Sequence, residues 1–289
     1  MGETADSGGP PAPLAITLLG TGSPLPDPNR AGPATLVSGA GEHHLVDAGR
    51  GVLMRLAAAA VAPGMLTSVL LTHLHSDHTT DLGDVITTRW VLGFPAEPLV
   101  IVGPVGTGEF IDRLMASLSI DIGYRLAHHE DLVEGPPVRV VEVTDGEVEV
   151  PGTIAVTCAP TDHRPVAPTV AYRFDLDGAS VVTAGDTVPC EGLDRLCLDA
   201  GALVHTVLRK DVIEPMPIQR FRDTCDYHSS PEEAARTAAR AGVRILVFTH
   251  YVPAPPPGSA QDWIDLARPH FAGRIEAGDD LHRVEVSPR

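Results

Sequence analysis

The sequence predicts a mixed α/β fold in which antiparallel strand pairs interrupt a strand–helix alternation. Three observations carry this. Short apolar runs of strand length alternate with segments of helical composition. Hairpin turns join several of the runs, which a purely parallel barrel would not use. The chain has 289 residues and is 43% hydrophobic and 20% charged, enough for a substantial core and unlike a disordered chain or a highly charged coiled coil. No internal repeat or low-complexity linker divides it. Residues 14–289 are therefore expected to form one domain behind a loose tail at 1–13.

The elements follow in order. Leu14 to Leu19 reads as a buried strand that runs into a Gly-Thr-Gly-Ser-Pro loop at 20–24. Ala34 to Ser38 and His43 to Val46 are strands joined by a Gly-Ala-Gly turn. Arg50 to Val61 has helical composition, and Leu66 to Leu71 is a short apolar strand. A helix is expected over Thr79 to Leu92, a strand at Leu99 to Val102 and a helix over Gly106 to Leu118. Val138 to Val143, Glu147 to Val150 and Thr153 to Cys158 suggest a strand meander. Val170 to Phe174 and Ser180 to Thr183 suggest a hairpin, and Ala202 to Leu208 is a further strand. Ser229-Ser230-Pro231 caps an Ala-rich helix, Glu232 to Ala241. Val243 to Phe248 is a buried strand, Asp262 to Ala267 a helix, and Arg283 to Val286 an edge strand.

Composition narrows the function. The chain carries 38 acidic against 21 basic residues, a net charge of −17. A surface of that sign repels phosphate backbones. Aromatics make up 4%, too few for a base-stacking platform. No apolar run approaches the ~20 residues of a membrane-spanning helix. Met1 to Pro13 lacks the basic and apolar regions of a signal peptide. Cys158, Cys190, Cys197 and Cys225 form no Cys-x-x-Cys pair and read as free thiols of a reducing cytoplasm.

The informative segment is Thr72-His73-Leu74-His75-Ser76-Asp77-His78. With 13 His in the chain, three at fixed positions arise by chance about once in 10⁴ windows. The cluster follows an apolar strand, so it sits at the strand's C-terminal end. In an extended segment, residues two apart face the same way, so His73 and His75 converge on one point. Asp77 and His78 come where the chain turns toward a helix and address a second point. Imidazoles and a carboxylate suit a borderline cation such as zinc.

His-x-His-x-Asp-His after a strand resembles the signature of the metallo-β-lactamase superfamily. Asp47 in Leu45-Val46-Asp47-Ala48-Gly49, His163, Asp186 in Ala184-Gly185-Asp186-Thr187 and His250 in Phe248-Thr249-His250-Tyr251 match its remaining motif positions. The resemblance implies a four-layer αββα sandwich with mixed sheets. It implies one metal held by His73, His75 and His163, a second held by Asp77, His78 and His250, and Asp186 bridging them. Asp47 would support the ligands, and Asp77 would also serve catalysis. Two Zn²⁺ ions are expected, with Mn²⁺ or Fe²⁺ as alternatives.

Leu19-Gly20-Thr21-Gly22-Ser23-Pro24 and Asp226-Tyr227-His228-Ser229-Ser230 resemble the ribonuclease Z and arylsulfatase-like branch. That branch includes tRNA 3′-end processing enzymes and small-molecule phosphodiesterases. His228 takes its proton-donor position. Two departures stand out. Only 22 residues separate His163 from Asp186, with Arg164 and Arg173 their only basic residues, so no tRNA-gripping arm fits. Thr206 stands where the branch places a Glu that orients the proton donor. The segment from Leu208 to Asp226 reads as a substrate-facing loop, with Arg220 and Arg222 as candidate substrate-binding residues.

The resulting expectation is a cytoplasmic, dinuclear metal-dependent hydrolase that uses a metal-bridging hydroxide on a small ester, with a phosphodiester favoured. The alternatives are a lactonase or thioesterase of specialised metabolism, and a non-catalytic metal- or ligand-binding protein with the same fold. The expected partners are a small-molecule substrate, no tRNA or other nucleic acid, no membrane and, as an option, a second copy in a homodimer.

Overall fold

The computed structural model describes residues 14–93 and 97–289. The expected tail at 1–13 lies outside them. In the first sheet are β1 (Leu14–Gly20), β2 (Ala34–Gly39), β3 (Glu42–Val46), β4 (Ser68–Leu70), β5 (Leu99–Pro104) and β6 (Val138–Val143). In the second are β7 (Gly146–Val148), β8 (Ala155–Pro160), β9 (Val170–Leu176), β10 (Ala179–Thr183), β11 (Ala202–Leu208), β12 (Ile245–Val252) and β13 (Arg274–Ala277). The last strand, β14 (Arg283–Val286), returns to the first sheet beside β1. Each sheet thus has seven strands among the described residues. Each is half antiparallel and half parallel: β3 to β6 run parallel in one, and β10 to β13 in the other.

The helices are α1 (Val52–Ala58), α2 (Ser76–Thr79), α3 (Leu82–Gly93), α4 (Thr107–His128), α5 (Glu191–Cys197), α6 (Lys210–Ile213), α7 (Gln219–Asp223), α8 (Pro231–Arg240) and α9 (Gln261–Ala267). Three apolar layers order them. Leu14, Ile16, Leu18 and Val37 of the first sheet meet Tyr172, Phe174, Val181 and Val204 of the second between the sheets. Val52, Leu56, Val85 and Ile111 cover the outer face of the first sheet from α1, α3 and α4. Leu193, Ala234, Ala238 and Trp263 cover the outer face of the second from α5, α8 and α9. This is the αββα sandwich that the resemblance implies. It explains why β1 and β11 are buried at every position: both faces of each sheet are covered.

Local chemistry sets several of these elements. Ala40 and Gly41 both have positive φ and make the two-residue turn that matches strand twist between β2 and β3. The Ser230 hydroxyl accepts from the Glu233 amide while the Glu233 carboxylate accepts from the Ser230 amide, a full capping box with Pro231 in the first turn of α8.

The expected meander at 138–158 is not one. β6 pairs in parallel with β5, whereas β7 and β8 pair in the other sheet. The chain changes sheets between β6 and β7, which strand spacing alone does not reveal. The helix expected at Thr79 to Leu92 divides into α2 and α3, and α4 runs ten residues beyond its expected end at Leu118. Four elements, α5, α6, α7 and β13, lie outside the expected ones, α6 and α7 within the segment expected to be a loop.

His205 in β11 is fully buried on the face that carries Leu203 and Val207. Its Nδ1 donates to the Thr206 carbonyl at 2.7 Å, and its Nε2 has no partner among the described residues. Burial pushes its pKa from 6.5 down to about 4. Between those values the unfolded chain binds a proton that the folded chain refuses. The stability contributed by neutral His205 is therefore complete above about pH 6.5 and lost as pH falls toward 4, by about 2 kcal/mol at pH 5. Urea unfolding of the native chain and His205→Gln should show the native chain's relative stability declining by that amount between pH 7.5 and 5. An unchanged difference would show that His205 does not contribute this dependence.

Candidate metal centre

The expected ligands, and Asp47 expected to support them, all lie at the C-terminal ends of strands. Asp47 follows β3, the 73–78 cluster follows β4, His163 follows β8, Asp186 follows β10, and His250 lies near the end of β12. Because the parallel halves of both sheets point the same way, these ends meet at one edge of the sandwich, the usual location of sites in such sheets.

Two groups of ligand atoms form there. His73, His75, His163 and Asp186 make one; Asp77, His78 and His250 make the other. Within each group, the ligand atoms lie within 4.8 Å of one another. Asp186 Oδ2 links the groups. It is 3.8 Å from His73 Nε2 and 3.9 Å from His163 Nε2, and 3.3 Å from His78 Nε2 and 3.5 Å from His250 Nε2. Asp77 Oδ2 is 3.5 Å from His78 Nε2 and 3.3 Å from His250 Nε2. Asp186 Oδ1 and His78 Nε2 are buried with no hydrogen-bond partner among the described residues. A donor set of imidazoles and carboxylates, with orphaned buried atoms, fits two divalent metal ions.

The electrostatics agree. Burial works against the charge on Asp186, but His250, His78 and His228 together hold its carboxyl well below the usual range. Burial also opposes protonation of His78, yet Asp186 and Asp47 raise it well above an ordinary histidine. Burial and the neighbouring His78 drive His73 far down. Protons and metal ions therefore compete for the same atoms.

Hydrogen bonds behind the ligands fix which ring nitrogen faces the centre. Asp47 Oδ2 accepts from His78 Nδ1 at 2.8 Å, which leaves Nε2 facing Asp186. His73 Nδ1 lies 3.0 Å from Thr72 Oγ1, which in turn donates to Asp47 Oδ2 at 2.9 Å. His163 Nδ1 donates to the Tyr227 carbonyl at 2.9 Å. Asp47 thus orients ligands from its own strand end, in a left-handed conformation with φ 62°. Gly185, with φ 64°, presses against Thr72: a Cβ there would lie 2.7 Å from the Thr72 Cβ, so only glycine brings Asp186 this close.

A second support escaped the sequence reading. The Asp280 carboxylate accepts from the Thr21 amide and hydroxyl, from the Ala31 amide and from Arg55. Arg30 is buried, donates to Thr21 Oγ1 and the Pro255 carbonyl, and lies over the Tyr251 ring. The Thr21 carbonyl accepts from the Tyr251 amide, next to His250. This network ties the 20–24 loop to the end of β12 where His250 sits with φ 51°. Its members are up to 259 residues apart, and no local pattern marks them.

His228 borders the centre. Its Nδ1 is 3.9 Å from Asp186 Oδ2, and its ring stacks on His250 with centroids 5.6 Å apart. Burial pushes it down to about 3. Among the described residues, Asp186 is the only carboxylate within 4.0 Å of its ring nitrogens. Asp211, an acidic residue downstream of Thr206, is paired with Arg209 at 2.7 Å. Thr206 donates its hydroxyl to the Gly185 carbonyl at 2.9 Å, so it supports the Asp186 loop.

The 208–226 segment forms one wall of an apolar pocket beside His228 and His250. Most of its cations are already engaged. Arg222 donates to the Met216 carbonyl at 2.6 Å, Arg209 pairs with Asp211, and Lys210 pairs with Glu233 at 2.8 Å. Arg220 is exposed on α7 and makes no ion pair among the described residues. No described helix is long and apolar enough to cross a membrane.

Comparison with known proteins identifies the family. A model of the beta-lactamase superfamily domain matches residues 43–251. Ribonuclease Z of Mycobacterium avium is 60% identical over 275 residues, which cover 94% of this chain and 98% of that protein. Ribonuclease Z of Mycobacterium marinum is 59% identical, covering 96% of this chain and 100% of that protein. Among solved structures, the short form of human tRNase Z covers 94% of this chain and 99% of its own, with TM-score 0.70 and 23% identity. The metallo-beta-lactamase fold protein YhfI from Bacillus subtilis covers 95% and 99%, with TM-score 0.74 and 21% identity. Likeness at that identity speaks for the fold alone.

These relatives overturn the expectation of a small-molecule substrate with no tRNA or other nucleic acid. Proteins matched over nearly their whole length are called ribonucleases, and that coverage leaves them no room for an extra arm either. The net charge of −17 is a sum over the whole surface. A phosphate responds to charges within about 10 Å. The chain is a metal-dependent hydrolase that belongs to the beta-lactamase superfamily, alongside the proteins called ribonuclease Z.

Proposed function

We propose that this chain is a ribonuclease Z that cleaves a phosphodiester at the 3′ end of precursor tRNA. The observation that carries the reading is Asp186 Oδ2 standing within 3.9 Å of both ligand groups with His228 beside it. That arrangement suits a phosphodiester, whose attacked and leaving oxygens both need stabilisation. The ribonuclease names of its relatives select RNA among phosphodiesters.

His73, His75 and His163 would hold one zinc ion, Asp77, His78 and His250 the other, with Asp186 between them. When bound, the two ions supply Lewis acidity and a water activated near neutral pH. Asp77 orients the attacking water. Water oxygen bonds to phosphorus as its proton passes to Asp77, and the bond from phosphorus to the leaving oxygen breaks. His228, which burial keeps neutral, takes up a proton as the anionic phosphate settles beside it and delivers that proton to the leaving oxygen. Asp47 and Thr206 position the ligands, and Arg220 contacts an RNA phosphate. The reading places the protein in the cytoplasm, and its four unpaired cysteines support that.

Zinc-loaded protein should cleave precursor tRNA, stop on chelation and recover on zinc addition. Asp186→Ala should bind fewer than the expected two ions by elemental analysis and lose nearly all turnover; full turnover with a single ion would sink the dinuclear reading. His228→Ala should slow RNA cleavage ~10²-fold or more, and cleavage of nitrophenyl esters far less, because a good leaving group needs no proton. Equal losses on both would mean that His228 binds substrate instead. Arg220→Ala should raise KM several-fold and reduce the slope of log KM against log salt by about 1. An unchanged salt slope would remove Arg220 from the interface.

A further inference from the structure

A pocket of about 170 Å³ opens beside the metal centre. Its floor is His228 and His250, and its walls include Leu25, Met216, Phe221 and Val252. No Lys, Arg, Asp or Glu lines it. A phosphate group therefore meets no lysine or arginine there, whereas an apolar or aromatic group meets many partners. An apolar cavity of about 150 Å³ accepts benzene, so this space suits one ring system and not an extended chain.

Two polar atoms of its lining lack a hydrogen-bond partner among the described residues, His250 Nδ1 in the floor and the Ser23 hydroxyl. Ser23 lines the pocket, is 3% exposed, and its hydroxyl makes no hydrogen bond among the described residues. The Asp280–Thr21 network fixes the loop that carries it. A buried hydroxyl without a partner costs stability unless a ligand satisfies it. The Thr224 hydroxyl of the lining already donates to the Phe221 carbonyl, so ring-sized apolar walls with one unpaired hydroxyl match a planar heterocycle with a polar rim. A serine hydroxyl can donate or accept, so it meets the edge of any nucleobase.

We infer that this pocket holds the base of the nucleotide that carries the leaving oxygen, stacked against Phe221 and Met216 with Ser23 at its edge. The inference rests on the RNA-cleaving reading, and His228 sets the side: the residue placed to protonate the leaving oxygen forms the pocket floor. Phe221 and Met216 belong to the 208–226 segment, so that segment contributes base recognition beside the phosphate contact proposed for Arg220. Stacking of this kind is sequence-tolerant, because every base has a π-face.

The test uses zinc-loaded full-length protein and precursor tRNAs that differ only at that nucleotide, which carries one of the four bases or is abasic. The native chain should cleave all four base-bearing substrates with kcat/KM within a few-fold of one another, and the abasic one about tenfold less well or worse. Phe221→Ala should bring the ratio of base-bearing to abasic cleavage toward one, and Ser23→Ala should lower it in part. Equal cleavage of abasic and base-bearing substrates by the native chain would overturn the pocket's occupant and leave the RNA reading standing. Failure to cleave any of these RNAs, with bis(4-nitrophenyl) phosphate still hydrolysed, would overturn the RNA reading and the occupant with it.

Discussion

One oxygen organises this molecule. Asp186 Oδ2 lies within 3.9 Å of nitrogens from His73, His78, His163, His228 and His250. A carboxylate buried to 3% exposure is costly unless cations surround it. Five imidazoles packed together are costly unless anions or metal ions take up their lone pairs. Each half of the cluster is tolerable only because the other is present. The demand then propagates outward. Gly185 must lack a Cβ for Asp186 to approach Thr72, and Asp47 must accept a left-handed backbone to receive His78. His250 must do the same at the end of β12. Such conformations cost ~1–3 kcal/mol each and persist where surrounding structure enforces them.

The sandwich provides that enforcement. The core between the sheets holds their strand ends at a fixed separation, so the cluster after β4, backed by Asp47 after β3, meets the residues after β8 and β10 and at the end of β12. Two bonds cross the edge where the sheets meet. The Val170 amide donates to the Thr72 carbonyl, and the Tyr172 hydroxyl donates to the Leu71 carbonyl at 2.7 Å. Both anchor the chain just before the ligand cluster to the second sheet. On the other flank, the Tyr251 amide of β12 donates to the carbonyl of Thr21, whose side chain Arg30 and Asp280 hold. Metal affinity is thus a property of the packed interior as much as of the ligands.

What the sequence disclosed follows from range. The 73–78 cluster was visible because its members are neighbours, and strand geometry alone splits them into two directions. The strands flanking it were visible because both faces of each sheet are buried and the runs are continuously apolar. The remote ligands His163, Asp186 and His250 were placed by resemblance, since single residues carry no pattern. The move from β6 to β7 between sheets left no mark, because a strand's composition does not name its partner. Arg30 and Asp280 left none either, because their work depends on contacts across more than 200 residues. The 208–226 segment was read by its charges, and the fold turned most of those charges against each other.

The same point bears on how an acidic protein handles an acidic polymer. Proteins that grip a phosphate backbone with many Lys and Arg release counterions, and their affinity falls steeply with salt. This chain has a single lysine, and most arginines near its pocket are paired with carboxylates or backbone carbonyls. On the proposed RNA-cleaving reading, backbone gripping is a minor source of affinity. The positive charge that meets the scissile phosphate would come from the metal ions, concentrated at one point, and the remaining attraction from an uncharged ring pocket. Net repulsion elsewhere on the surface then disfavours RNA that cannot engage both features at once. A net charge of −17 excludes indiscriminate binding without excluding a nucleic-acid substrate.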